Sequence, residues 1–333
     1  MTRRKSAARR IAARAGAASL LAAAGWIGYS AMSVPHAMEL AHALGGERKE
    51  FTGRAGRLSY YVAGQGEPTL LVHSVNAAGS AYEVKPVYEH LRVSRHVYAV
   101  DLPGFGFSER SDRRYDIRLF VDAVHDMLDM IAREHGERQV DALALSLAGE
   151  FVARACMERQ QPRRLRSLAL VTPTGFSRGA GALRGSAAES REITGMYRVF
   201  TFPLWSQAFY DLLVSRASIR YFLQRTYGSK RIDEGMLEYD YLTTHQPGAR
   251  HAPYAFVSGR LFSKDIRSVY EKLDLPIWVP HATRGDFRDF SEADWARARD
   301  NWTFQPFDTG ALPHFEQTEA FLDAYERFLA SSG

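Results

Sequence analysis

Val140 to Glu150 reads V-D-A-L-A-L-S-L-A-G-E, and the break at Ser146 decides the fold. Ahead of it, Leu143 and Leu145 belong to an apolar run suited to a buried strand. Behind it, Leu147 to Met157 carries its apolar residues at helical spacing. A strand turning sharply into a helix at a serine is the pattern of a nucleophile elbow, whose strained backbone lifts the hydroxyl clear of the sheet. Residues two places to either side must be small, so that neighbouring backbone can approach. Here they are Ala144 and Ala148 where glycine is usual, and a methyl group is the least that can be added. Taken alone, the same serine reads as a cap on the helix that follows. Its surroundings decide between the two.

Working outward, strands are expected over Arg57–Val62, Thr69–His73, His96–Val100, up to Leu145, Ser167–Val171, Leu275–Pro280 and Trp302–Phe307. Helices are expected over Ala81–Leu91 and Ile117–His135, the latter with Phe120, Val121, Val124, Met127, Leu128 and Ile131 on one side. Strands alternating with helices of this length imply a mostly parallel sheet covered on both faces. In such a sheet the site lies at the carboxyl ends of the strands. The loop H-S-V-N-A-A-G-S, His73–Ser80, can present the Val75 backbone N–H to a developing oxyanion, and Leu147 behind the serine can present the other. The loop D-L-P-G-F-G-F-S, Asp101–Ser108, reads as a structural turn, because no helix start follows its glycines as a phosphate loop requires.

The pieces L-L-V-H-S, Y-A-V-D-L-P-G-F-G-F-S, A-L-A-L-S-L-A-G-E-F, L-A-L-V-T-P-T-G-F and L-P-I-W-V-P-H follow one another over most of Arg57–Ala330. In that order they resemble the α/β-hydrolase fold superfamily, in its serine-hydrolase branch with a helical cap. The resemblance implies a core over residues 47–176 and 274–333. A helical cap over 177–273 would interrupt it, a region rich in aromatics and opened by a Gly/Ser-rich stretch suited to a hinge. It implies a Ser146 nucleophile and a triad acid in H-A-T-R-G-D-F-R-D-F, where Asp286 is better placed than Asp289. In relatives a catalytic histidine follows the glycine of the last loop, with a glutamate five residues later. Gly310 and Glu316 fit that frame, but the histidine position is Ala311.

Alanine cannot accept the serine proton, so three readings stay open. His314, about one helical turn further on, serves as base; His281 or His73 approaches from another loop; or the fold is kept without hydrolysis, as a binding protein or through a His-to-Ala change. The resemblance implies esterase-type cleavage of an apolar acyl substrate by a serine nucleophile. The alternative is a catalytically impaired or non-hydrolytic binding member.

Arg3, Arg4, Lys5, Arg9, Arg10 and Arg14 precede the first acid, Glu39. Taking those six from the formal +5 leaves −1 for the rest, so the basic balance belongs to the N-terminus and does not call for nucleic acid. Ala15–Val34 gives twenty uncharged residues, enough at helical rise to cross roughly 30 Å of hydrocarbon, with Pro35 beyond. Residues 1–46 therefore read as a membrane anchor, the catalytic body outside the cytoplasm, or as an export signal. The single cysteine, Cys156, excludes an intrachain disulfide and fits a small buried helical residue. No cluster of His, Cys and carboxylates has metal-ligand spacing, and no metal or other cofactor is expected.

Overall fold

The computed structural model describes residues 2–136, 138–159, 164–178 and 190–332, with side chains from residue 18 onward. Eight strands form one sheet: β1 (Glu47–Gly53), β2 (Gly56–Ala63), β3 (Pro68–Val72), β4 (His96–Asp101), β5 (Val140–Leu145), β6 (Leu165–Val171), β7 (Ile277–Ala282) and β8 (Trp302–Phe307). Their order is β1-β2-β4-β3-β5-β6-β7-β8. The β1–β2 and β2–β4 pairs are antiparallel and the rest parallel. Helices α1 (Thr2–Ser33), α2 (Lys85–Leu91), α3 (Ile117–His135), α4 (Ala148–Glu158), α11 (Asp294–Arg297), α12 (Pro313–Glu316) and α13 (Thr318–Ser331) surround the sheet and its N-terminal approach. Between β6 and β7 come α5 (Met196–Phe200), α6 (Ser206–Leu213), α7 (Arg216–Tyr227), α8 (Glu234–Thr244), α9 (His251–Val257) and α10 (Ile266–Glu271), which form the cap.

The sheet is buried on both faces, and β5 shows why its sequence is apolar throughout. Val140, Ala142 and Ala144 enter one core, while Leu143 and Leu145 enter the other. On the first face, α3 begins where Asp116 accepts the Leu119 N–H and ends at Gly136, whose φ of +67° a side chain would strain. Its apolar stripe meets α4 through stacked Phe120 and Phe151, centroids 4.9 Å apart. Phe151→Ala would cost about 3–5 kcal/mol there. On the second face, Trp278 of β7 stacks on Tyr325 of α13 at 5.5 Å.

The expected Ala81–Leu91 helix is split into a 3₁₀ turn, Ala81–Val84, and α2, with Pro86 in the first turn of α2. The hinge-like stretch expected after Ser177 lies largely outside the described residues. Helix α1 stops at Ser33, because Val34 before Pro35 is pushed out of the helical region. It is pinned to the cap: Trp26 Nε1 donates to the Ala208 carbonyl at 2.7 Å and Ser30 Oγ to Asp211 Oδ2 at 2.5 Å. Among the described residues no helix is long and apolar enough to cross a membrane, so the expectation of a spanning helix gains no support. Alanine and glycine outnumber leucine in this segment, which keeps its hydropathy low.

Candidate active site

Ser146 sits where β5 ends and α4 begins, with φ at +50°, a left-handed conformation uncommon for a residue with a side chain. Its N–H donates to the Val171 carbonyl at 2.9 Å, continuing the β5–β6 ladder through the turn. Ala144 and Ala148 are fully buried with normal negative φ, so this elbow needs small residues but not glycines. The serine opens on a cavity of about 370 Å³ between core and cap, shared with Val75, Asp286 and Ala311. Leu213, Leu223 and Met236 form part of its apolar wall.

The N–H groups of Leu147 and Val75 take no acceptor among the described residues, as an oxyanion site requires. The Val75 loop is held firmly. Leu102 N–H must donate to His73 Nε2 (2.9 Å), so His73 Nδ1 carries the proton and donates to the Ser74 carbonyl at 2.6 Å. Glu83, in the 3₁₀ turn, accepts from Ser74 N–H (2.7 Å), Ser74 Oγ (3.0 Å) and Asn76 Nδ2 (2.8 Å). Gly79 closes the loop, since a Cβ there would lie 2.5 Å from the Ser74 carbonyl oxygen. Burial raises the Glu83 carboxyl, and those three donors pull it back. Sequence reading missed Glu83, because nothing local separates it from any acid in a helical segment.

The acid and base positions differ from expectation. Asp286 lines the cavity, but its Oδ2 accepts from Arg225 Nε of α7 at 2.6 Å and not from an imidazole. Asp289 is a local cap, accepting from Ser291 N–H (3.1 Å) and Arg178 N–H (3.0 Å), bonds that lower its carboxyl. His314, a candidate base, does not line the cavity. It is fully buried, and its Nε2 donates to the Glu83 carbonyl at 2.7 Å. Burial lowers its imidazole to about 4, and that of His73 equally to about 4. His281 packs on Phe290, with centroids 4.5 Å apart, and His73 is spent on its own loop. No imidazole among the described residues is hydrogen-bonded to Ser146. Ala311 faces the cavity and its N–H donates to the Thr226 carbonyl at 2.8 Å, while Glu316 accepts from Gly310 N–H (2.6 Å) and Arg284 (2.7 Å). Gly310 and Glu316 are thus joined by a hydrogen bond on either side of Ala311.

At the opposite, amino-terminal end of β4, the fold gathers residues whose linear spacing gave no metal signal. His96, Glu134 and His135 offer ligand atoms within 4.8 Å of one another. His96 Nδ1, His135 Nε2 and the Tyr98 hydroxyl are mutual hydrogen-bond partners at 2.9–3.1 Å.

An open α/β sheet with a serine on a strained strand-to-helix turn, free amides beside it and a helical cap above is the architecture of a hydrolase fold. The Alpha/beta hydrolase family matches residues 69–324, and the chain belongs to it. It is 28% identical over 152 residues to 2-hydroxymuconate semialdehyde hydrolase of Pseudomonas sp. (strain CF600), covering 44% of this chain and 52% of that protein. The chain thus spans about half the length of the curated relative it matches. Among solved structures, a meta-cleavage product hydrolase from Pseudomonas fluorescens IP01 superposes with a TM-score of 0.64 at 16% identity, over 86% of this chain and 98% of that one. A serine hydrolase involved in carbazole degradation gives 0.64 at 17%, over 85% and 99%. A membrane phospholipase A gives 0.61 at 17%, over 100% and 99%. At these identities the likeness is one of fold.

Proposed function

We propose that this hydrolase-family protein binds an apolar acyl ester in the cavity below the cap, with Ser146 as nucleophile and the Leu147 and Val75 amides receiving the carbonyl oxygen. The observation that carries the reading is Ser146 at φ +50° on the wall of a largely apolar cavity. Strain of this kind costs of order 1–3 kcal/mol and persists where surrounding structure enforces it. A serine acting as a helix cap does not require it. The second reading, a binding member that does not turn over, is favoured by the alanine at 311 and the burial of His314. Removing the base from such a unit costs on the order of 10⁶ in kcat. A fluorophosphonate probe discriminates the two: labelling of Ser146 together with ester turnover that Ser146→Ala abolishes supports the enzyme, and binding of acyl esters without either supports the second reading.

The N-terminal helix and cap together form, in our reading, a surface that rests on a membrane. Leu20, Leu21 and Met32 on α1 are 73%, 73% and 83% exposed. Val199, Phe202, Leu204 and Leu212 on the cap are exposed too, α6 packs on α1 through Trp26 and Ala208, and six cations precede Glu39 in the sequence. Exposed apolar side chains next to a basic segment suit an anionic lipid surface.

A further inference from the structure

The cavity holding Ser146 has a chemical feature that ester recognition leaves unused. Asp240, on cap helix α8, lines it and is 5% exposed. Its Oδ1 has no hydrogen-bond partner, and no cation or donor among the described residues pairs with its carboxyl. The charged groups facing it are acids: Glu83, from the 3₁₀ turn of the core, and Asp233, at the start of its own helix. Nearby phenols are spent elsewhere, Tyr82 donating to Asp233 (3.3 Å) and Tyr227 to Met236 Sδ (3.9 Å). Arg225, also on the cavity wall, is committed to Asp286. Burial, with those two acids, raises the Asp240 carboxyl well above its usual range.

A buried carboxyl without a partner costs stability. An apolar wall would be served by the residue types found beside it, Leu213, Leu223 and Met236. We infer that Asp240, backed by Glu83, is the docking point for a positively charged nitrogen on an otherwise apolar ligand, an alkylammonium whose hydrocarbon lies along those three side chains. A cation offers Asp240 the N–H donors it lacks and also offsets the charge of Glu83. A hydroxyl does only the first, and a carboxylate brings a further acid to a pair whose burial already disfavours negative charge. The inference rests on the reading of this cavity as the substrate site and adds the class of head group that the substrate carries.

The test compares hexylamine, hexanol and hexanoate on the full chain, by calorimetric Kd and by protection of Ser146 from a fluorophosphonate. Hexylamine is expected to bind at least about tenfold more tightly than hexanol, the scale of a charge-assisted hydrogen bond, with hexanoate weakest. Asp240→Asn should bring the amine to the level of the alcohol. Hexanol binding as tightly as hexylamine, or an amine preference that survives in Asp240→Asn, overturns the proposal. If that variant does not fold, the order of affinities in the parent still decides. Protection by hexanol with no amine preference defeats this inference alone. Failure of all three ligands to protect a Ser146 that the probe labels defeats both it and the reading of the cavity.

Discussion

Asp286 Oδ2 accepts a 2.6 Å hydrogen bond from Arg225 Nε, so the acid position is latched to cap helix α7 by a guanidinium where an imidazole is the usual partner. Ala311 faces the same cavity. Without an imidazole there, the carboxylate has no ring to orient and turns to Arg225 instead. The exposed Arg225–Asp286 pair adds little stability. Its effect is on where the carboxylate points.

Restoring the histidine should therefore restore chemistry. Ala311→His is expected to raise p-nitrophenyl ester kcat by about 10²–10⁴, the usual worth of a positioned general base. Adding Asp286→Asn should remove the gain, and adding Arg225→Gln should enlarge it by freeing the carboxylate. A folded Ala311→His variant no faster than its parent would refute the arrangement.

The strain at the elbow is measurable by itself. At φ +50° a glycine avoids a penalty that alanine keeps. Ser146→Gly should thus be more stable to urea than Ser146→Ala, by about 1 kcal/mol. Equal midpoints would mean that Ser146 relaxes out of the left-handed region.

Acid should destabilise the fold through His314. Its folded value of about 4 lies below the ordinary 6.5, so between those values the unfolded chain binds the extra proton. Its contribution is complete above pH 6.5 and is lost as pH falls toward 4, on the order of 3 kcal/mol in all. His314→Gln, which can still donate to the Glu83 carbonyl, should flatten the pH dependence of the urea midpoint in that window and leave ester turnover unchanged. Loss of turnover would instead make His314 the base.

Membrane contact is checked by co-sedimentation with vesicles. The full chain should pellet with anionic phosphatidylglycerol vesicles and less with phosphatidylcholine, while a chain starting at Glu47 stays in solution. Leu204→Glu together with Phe202→Glu should weaken pelleting without moving the Tm, because both side chains are exposed. Full pelleting of the double variant would leave the cap face without a role in binding.

Much of the fold is legible in the sequence because it rests on local periodicity. Ile117–His135 and Trp302–Phe307 are the observed α3 and β8, and the strand-to-helix break at Ser146 lies where V-D-A-L-A-L-S-L-A-G-E places it. Strand β1 was not legible: E-R-K-E-F-T-G is charged at an open edge, and only pairing with β2 makes it a strand. The same division runs through the site. The sequence alone determined the strand-to-helix break at Ser146, the loop that carries Val75 and the alanine at 311, since each is fixed by its immediate neighbours. Only the tertiary structure decided that Asp286 turns to Arg225, that His314 is buried against Glu83, and that Glu83 and Asp240 line one cavity from core and cap. Those pairings join residues remote in the chain, and hydrogen-bond geometry and burial, which leave no trace in local spacing, select among the partners that packing brings within reach.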